Sequence, residues 1–156
     1  MQCAFWKRFD PMDTGKKRTL LKWLFVLYGL MMLWLLLFRR IGDNTAGAGL
    51  NLQPFDTIKR YIWVLKHSPS PGQRQWAGAN LLGNVILFLP LGICPPLLFR
   101  KMEGFLPLFL CVLPLIVAVE LLQMVTGLGT CDVDDVLLNA IGVTIGWGIW
   151  RLGFKK

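Results

Sequence analysis

The chain has 156 residues, of which 54% are hydrophobic and only 17% charged, with a formal net charge of +8. A water-soluble domain of this size has too little polar surface to cover so many apolar side chains, which argues against an ordinary soluble globule. The basic balance calls for no nucleic acid, since an anionic membrane leaflet attracts the same charge.

The apolar residues fall in blocks. Leu20 to Phe38 carries one charge, Lys22, near its start. Basic residues precede this block, and Ala46, Gly47 and Ala48 have the look of a signal cleavage box. Its apolar core is longer than the ~7 to 15 residues of a signal h-region, and Arg39 and Arg40 stand where a cleavable segment is neutral, so it reads as an uncleaved anchor.

A loop, 39–75, follows. Within it, Asn51 to Ile58 reads AsnLeuGlnProPheAspThrIle, and Lys59, Arg60 and the amphipathic run Tyr61 to Leu65 then form a short helix suited to the membrane surface. The SerProSerProGly run from Ser68 to Gly72 ends that helix and returns the chain to the bilayer. His67 has no fixed partner in the sequence and reads as a solvated residue.

Three more blocks follow, at Trp76 to Phe99, Phe105 to Val125 and Val133 to Leu152. Each approaches or exceeds the ~20 residues that a helix rising ~1.5 Å per residue needs to cross a ~30 Å hydrocarbon layer. Pro90, Pro107 and Pro114 are expected to interrupt the second and third helices. Gly142 and Gly146, with Ala140 and Gly148 nearby, form a face on which a neighbouring helix can approach closely. Trp34, Trp76, Trp147, Trp150 and Tyr61 suit interfacial anchoring. The expected fold is all-α: a single polytopic membrane domain over 1–156, with spans at about 20–38, 76–99, 105–125 and 133–152.

Orientation follows from the lysines and arginines. With the N-terminus in the cytoplasm, Lys7, Arg8, Lys16, Lys17, Arg18, Lys22, Arg100, Lys101, Arg151, Lys155 and Lys156 lie inside. Arg39, Arg40, Lys59, Arg60, Lys66 and Arg74 lie outside, a split of 11 to 6 among the 17 basic residues. Both termini are expected to be cytoplasmic. In this topology Asn80, Asn84, Glu120, Gln123, Asp132, Asp134, Asp135 and Asn139 all fall toward the outer side. Asn80 and Asn84 are four apart, Glu120 and Gln123 three apart, and Asp132, Asp135 and Asn139 follow a three-then-four spacing, so each set occupies one helical stripe.

Carboxylates at the start of a helix also have an ordinary role. Asp132 or Asp134 can cap the last span and meet its dipole. Asn80, Asn84 and Gln123 can join helices through hydrogen bonds. Glu120, Asp135 and Asn139 lie deeper, where an unpaired polar group costs a few kcal/mol, and point more strongly to function. Cys3, Cys94, Cys111 and Cys131 have no metal-site spacing. No serine or cysteine triad, Walker loop or GxGxxG sequence is present.

Asn51, Pro54 and Phe55, then AsnLeuLeuGlyAsnValIleLeuPheLeuProLeuGly from Asn80 to Gly92, GluLeuLeuGln from Glu120 to Gln123, and AspValAspAspValLeuLeuAsnAlaIleGly from Asp132 to Gly142 occur in that order. Together they resemble the VanZ-like family of bacterial membrane proteins. The resemblance runs from about residue 20 to 152 and implies a multi-pass protein of the bacterial cell membrane, of the kind named for reduced susceptibility to the glycopeptide teicoplanin. Family members often carry an arginine before the acidic run, where this chain has GlyLeuGlyThr from Gly127 to Thr130. Arg39, Arg60, Arg74 or a bound cation is the expected substitute.

Two mechanisms fit these residues. The preferred one is a non-enzymatic binding module whose outer polar site holds a membrane lipid, a cell-wall precursor or a lipoglycopeptide. The alternative is an enzyme in which Glu120, Asp132 and Asp135 hold magnesium or calcium and the asparagines orient a lipid-linked phosphate. A proton- or cation-coupled carrier, with Glu120 titrating, is a third reading.

Overall fold

The computed structural model describes residues 15–38, 49–127 and 129–154. The chain forms α1 (Gly15–Phe38), a short strand β1 (Leu50–Asn51), α2 (Asp56–His67), α3 (Pro71–Leu98), α4 (Phe105–Val125), a second short strand β2 (Cys131–Asp132) and α5 (Val133–Phe154). A single 3-10 turn, Arg100–Met102, joins α3 to α4. Four helices, α1, α3, α4 and α5, are long and apolar enough to cross a membrane. Leu20, Leu27, Leu82, Leu106 and Leu152 are among the large apolar side chains exposed on them, as expected of surfaces that face lipid. The protein is an all-α polytopic membrane bundle.

Helix starts follow local chemistry. Ser70 caps α3, its hydroxyl accepting from the Gln73 backbone NH at 3.5 Å, and Pro71 occupies the first helical position, where a missing NH costs nothing. That cap starts α3 at Pro71, earlier than the apolar run at Trp76 indicates. Pro107 likewise falls in the first turn of α4 and interrupts nothing. Pro90, Pro95, Pro96 and Pro114 are the prolines inside helices.

The centre of the bundle is the seam between α3 and α5. A methyl group built on Gly146 would stand 2.2 Å from the Leu89 carbonyl oxygen, and one on Gly142 2.3 Å from that of Val85. One on Gly92 would stand 2.2 Å from the Val143 carbonyl oxygen. Glycine is required at all three, because the two backbones touch there. The matched order of these contacts makes α3 and α5 parallel, and α4 returns antiparallel beside them. Phe88, Leu108, Val112, Ile116 and Val143 form the apolar core. Trp150 and Tyr61 are buried packing residues rather than interfacial anchors, whereas Trp34 and Trp76 are exposed.

α1 lies at the periphery. Arg18 donates to the Leu98 carbonyl at 2.7 Å, placing a cation at the C-terminal end of α3, and the Tyr28 hydroxyl donates to the Leu87 carbonyl. These contacts set α1 antiparallel to α3. At the other end, β1 and β2 form a parallel bridge with Leu50 opposite Cys131 and Asn51 opposite Asp132. The Cys131 NH extends it to the Gly49 carbonyl at 2.9 Å. This bridge ties the first loop to the α4–α5 connection. The cleavage-like Ala46 to Ala48, the pair Arg39 and Arg40, Cys3, and Lys7, Arg8, Lys155 and Lys156 lie outside the described residues.

Candidate functional site

Antiparallel packing brings the polar stripes to one end of the bundle. Asn80, Asn84, Glu120, Gln123, Asp132, Asp134, Asp135 and Asn139 are all buried. All but Asn139 divide into two groups.

The first group is a clasp. Asp132 precedes α5, and its Oδ1 accepts the Asp134 backbone NH at 2.9 Å, so Asp132 caps α5. Its Oδ2 accepts from the Thr57 hydroxyl at 2.6 Å and from the Asn51 amide at 3.2 Å. Asp134 does not cap its own helix. Its two oxygens accept the backbone NH groups of Phe55, at 2.6 Å, and Ile58, at 3.0 Å. Asp134 thus caps α2, supplying an acceptor and a negative charge at the N-terminus of a helix nearly eighty residues earlier in the chain. The Asn51, Pro54 and Phe55 motif exists to present these donors. The Asp56 NH reaches back to the Gln53 carbonyl at 3.5 Å, and Phe55, the third residue of that turn, has φ 67° and ψ 5°. This is the type II turn pattern, with Pro54 in the position proline favours and Phe55 where glycine is usual. A left-handed aromatic residue costs about 1 to 2 kcal/mol. The charge-assisted bond from Phe55 to Asp134 offsets it.

Neutral donors, rather than an arginine, meet the Asp132 and Asp134 carboxylates here. Hydroxyl, amide and helix N-terminal NH donors satisfy Asp132 and Asp134, while Arg60 and Arg74 are exposed on the surface. Arg39 lies outside the described residues.

The second group faces a cavity of about 470 Å³. Asn80, Asn84, Glu120, Gln123 and Asp135 line one part of it, and Tyr28, Met31, Leu35, Ile86, Leu87 and Pro90 line the rest. Asn84 donates to Asp135 at 2.7 Å, fixing α3 to α5 at the polar end, and Asn80 donates to its own helix at the Trp76 carbonyl, 2.8 Å away. Glu120 bridges the two groups, since the Asp132 NH approaches its carboxylate at 3.5 Å. Burial and the Glu120 and Asp132 carboxylates push the neighbouring Cys131 thiol up. Asn139, the deepest of the stripe on α5, keeps its side-chain oxygen buried without a hydrogen-bond partner.

Glu120, Asp132 and Asp135 do not gather into a cage. Among the described residues no group of three or more His, Cys, Asp or Glu side chains is arranged to hold a metal ion. The clasp accounts for this, because both Asp132 oxygens are turned toward the loop and the α5 backbone. Thr57, which no motif singles out, belongs to the clasp, and Tyr28, Met31 and Leu35 belong to the cavity wall. A polar residue in the first turn of an otherwise amphipathic helix was the signal for Thr57. The α1 residues carry no comparable signal.

No solved structure matches the chain. Protein VanZ of Enterococcus faecium is 28% identical over 137 residues, covering 85% of this chain and 74% of that protein. The VanZ/LLP1 family model matches residues 25–154, a stretch that contains the clasp and the cavity alike, and on this the chain belongs to the VanZ/LLP1 family.

Proposed function

We propose that the protein is an envelope factor that binds an amphiphile in the cavity beneath the clasp. The observation that carries this reading is the division of the cavity wall into a polar part of five side chains and an apolar part contributed by α1 and α3. Such a wall suits a ligand with a hydrogen-bonding head and a hydrocarbon chain. The head lies against Asn80, Asn84, Glu120, Gln123 and Asp135, and the chain runs along Met31, Leu35, Ile86 and Leu87. A membrane lipid, a lipid-linked cell-wall precursor and the acyl tail of a lipoglycopeptide share this chemistry. The distribution of basic residues supports cytoplasmic termini and a polar end that opens outward. By occupying or exposing such an amphiphile at the outer leaflet, the protein lowers susceptibility to glycopeptides such as teicoplanin.

The test is to obstruct the apolar part and leave the clasp alone. Leu35→Trp and Ile86→Trp, introduced together, are expected to abolish recovery of the amphiphile by mass spectrometry of the purified protein, and to return teicoplanin susceptibility to that of cells lacking the gene. An obstructed, folded protein that retains both ligand and phenotype would contradict the proposal.

A further inference from the structure

One face of α2 packs against the rest of the protein. Thr57 and Tyr61 are buried, and Tyr61 packs edge-on against Trp76 of α3 with ring centroids 5.2 Å apart. Leu65 packs beside Gly78. The inner face of α2 is therefore spent on the protein. The outer arc carries Lys59, Arg60 and Lys66 around Ile62 and Trp63, which is 60% exposed. Asp56 is the one acidic residue on α2, so the helix keeps a surplus of positive charge.

The level of α2 in the membrane follows from α3. Its 28 residues span about 42 Å at ~1.5 Å per residue, about 12 Å more than a ~30 Å hydrocarbon layer. The polar GlyGlnArgGln stretch, Gly72 to Gln75, places that surplus at the N-terminal end of α3. Tyr61 and Leu65 fasten α2 to α3 at Trp76 and Gly78, where α3 leaves the apolar layer. Trp63 and the three cations thus stand at head-group depth, where an indole is amphipathically satisfied and lysine and arginine meet lipid phosphates.

We infer that the outer face of α2 is a binding surface for anionic phospholipid head groups. Lys59, Arg60 and Lys66 hold the phosphates, and Ile62 and Trp63 enter the boundary between head groups and acyl chains. The choice of a lipid surface rests on charge complementarity and on the depth at which α3 places the helix. This surface is separate from the cavity, and its existence does not depend on the cavity having a ligand. Because Asp134 caps the same helix, lipid held here steadies the clasp from its outer side.

The experiment uses the full-length chain in nanodiscs of phosphatidylcholine alone or mixed with phosphatidylglycerol. A bimane fluorophore is placed at position 63 through Trp63→Cys in a chain otherwise free of cysteine. The expected result is quenching by lipids carrying a nitroxide at the head group or upper acyl chain, stronger when phosphatidylglycerol is present. Without any label, native mass spectrometry of the delipidated protein should show phosphatidylglycerol bound in preference to phosphatidylcholine. That preference should fall roughly fivefold for each of Lys59→Gln, Arg60→Gln and Lys66→Gln. Lys101→Gln at the opposite end of the bundle should leave binding at this surface unchanged. Quenching by aqueous iodide but not by lipid nitroxide, equal behaviour in the two lipid mixtures, or a response only to a water-soluble anionic polymer would each overturn the inference.

Discussion

Asp134 and Asp135 are neighbours in the chain and have opposite uses. Both Asp134 oxygens are committed to backbone NH groups of the first loop, whereas Asp135 lies on the cavity wall and accepts from the Asn84 side-chain amide. One helical step of about 100° separates a carboxylate that fastens the structure from one that faces a space of ligand size. The contrast teaches that a run of acids at a helix start is not one feature. Each carboxylate has to be assigned by what it accepts from.

The contrast breaks most visibly at Asp134. Asp134→Ala strands the NH groups of Phe55 and Ile58 without their acceptor, and two lost bonds to a charged group predict a destabilisation of about 3 kcal/mol or more. The check is a denaturant or thermal melt in detergent, together with accelerated proteolysis within 51–58. A sharper version is a double-mutant cycle of Asp132→Ala with Thr57→Val. The 2.6 Å bond between them predicts a coupling of about 1 kcal/mol, read from the same melts. At Asp135 the expected stability change is smaller. Asp135→Asn retains an oxygen that can accept from Asn84, so the melt should move by less than about 1 kcal/mol. The smallest effect concerns Cys131. Its folded-state pKa is raised, so its thiolate forms only at a more alkaline pH than in the unfolded chain. Alkylation of Cys131 in the native protein should lag behind the unfolded chain at neutral pH and approach it as pH rises.

Much of this architecture is legible in the residues. The four apolar blocks become α1, α3, α4 and α5, and Gly142 and Gly146 become the contact that sets α3 against α5. The shared end of the polar stripes follows from helices that alternate in direction. What the residues do not disclose is pairing across long separations. Nothing local to Asp134 indicates that its acceptors serve Phe55 and Ile58, and an expectation of a cap naturally looks to its own helix. The two-residue bridge between β1 and β2 is too short to leave a pattern. The role of α1 is hidden for a different reason. A helix exposed to lipid is apolar all round, so the faces of Met31 and Leu35 that line the cavity cannot be told from those that face hydrocarbon.

The division between clasp and cavity is tested most directly by one quantity: the amount of amphiphile recovered per folded molecule from Asp135→Asn and from Asp132→Asn, each relative to the unaltered protein. Asp135→Asn is expected to lose the ligand while keeping its fold, and Asp132→Asn, though less stable, to retain it in the fraction that is folded. Equal retention by the two variants, or loss only at Asp132, would contradict that division.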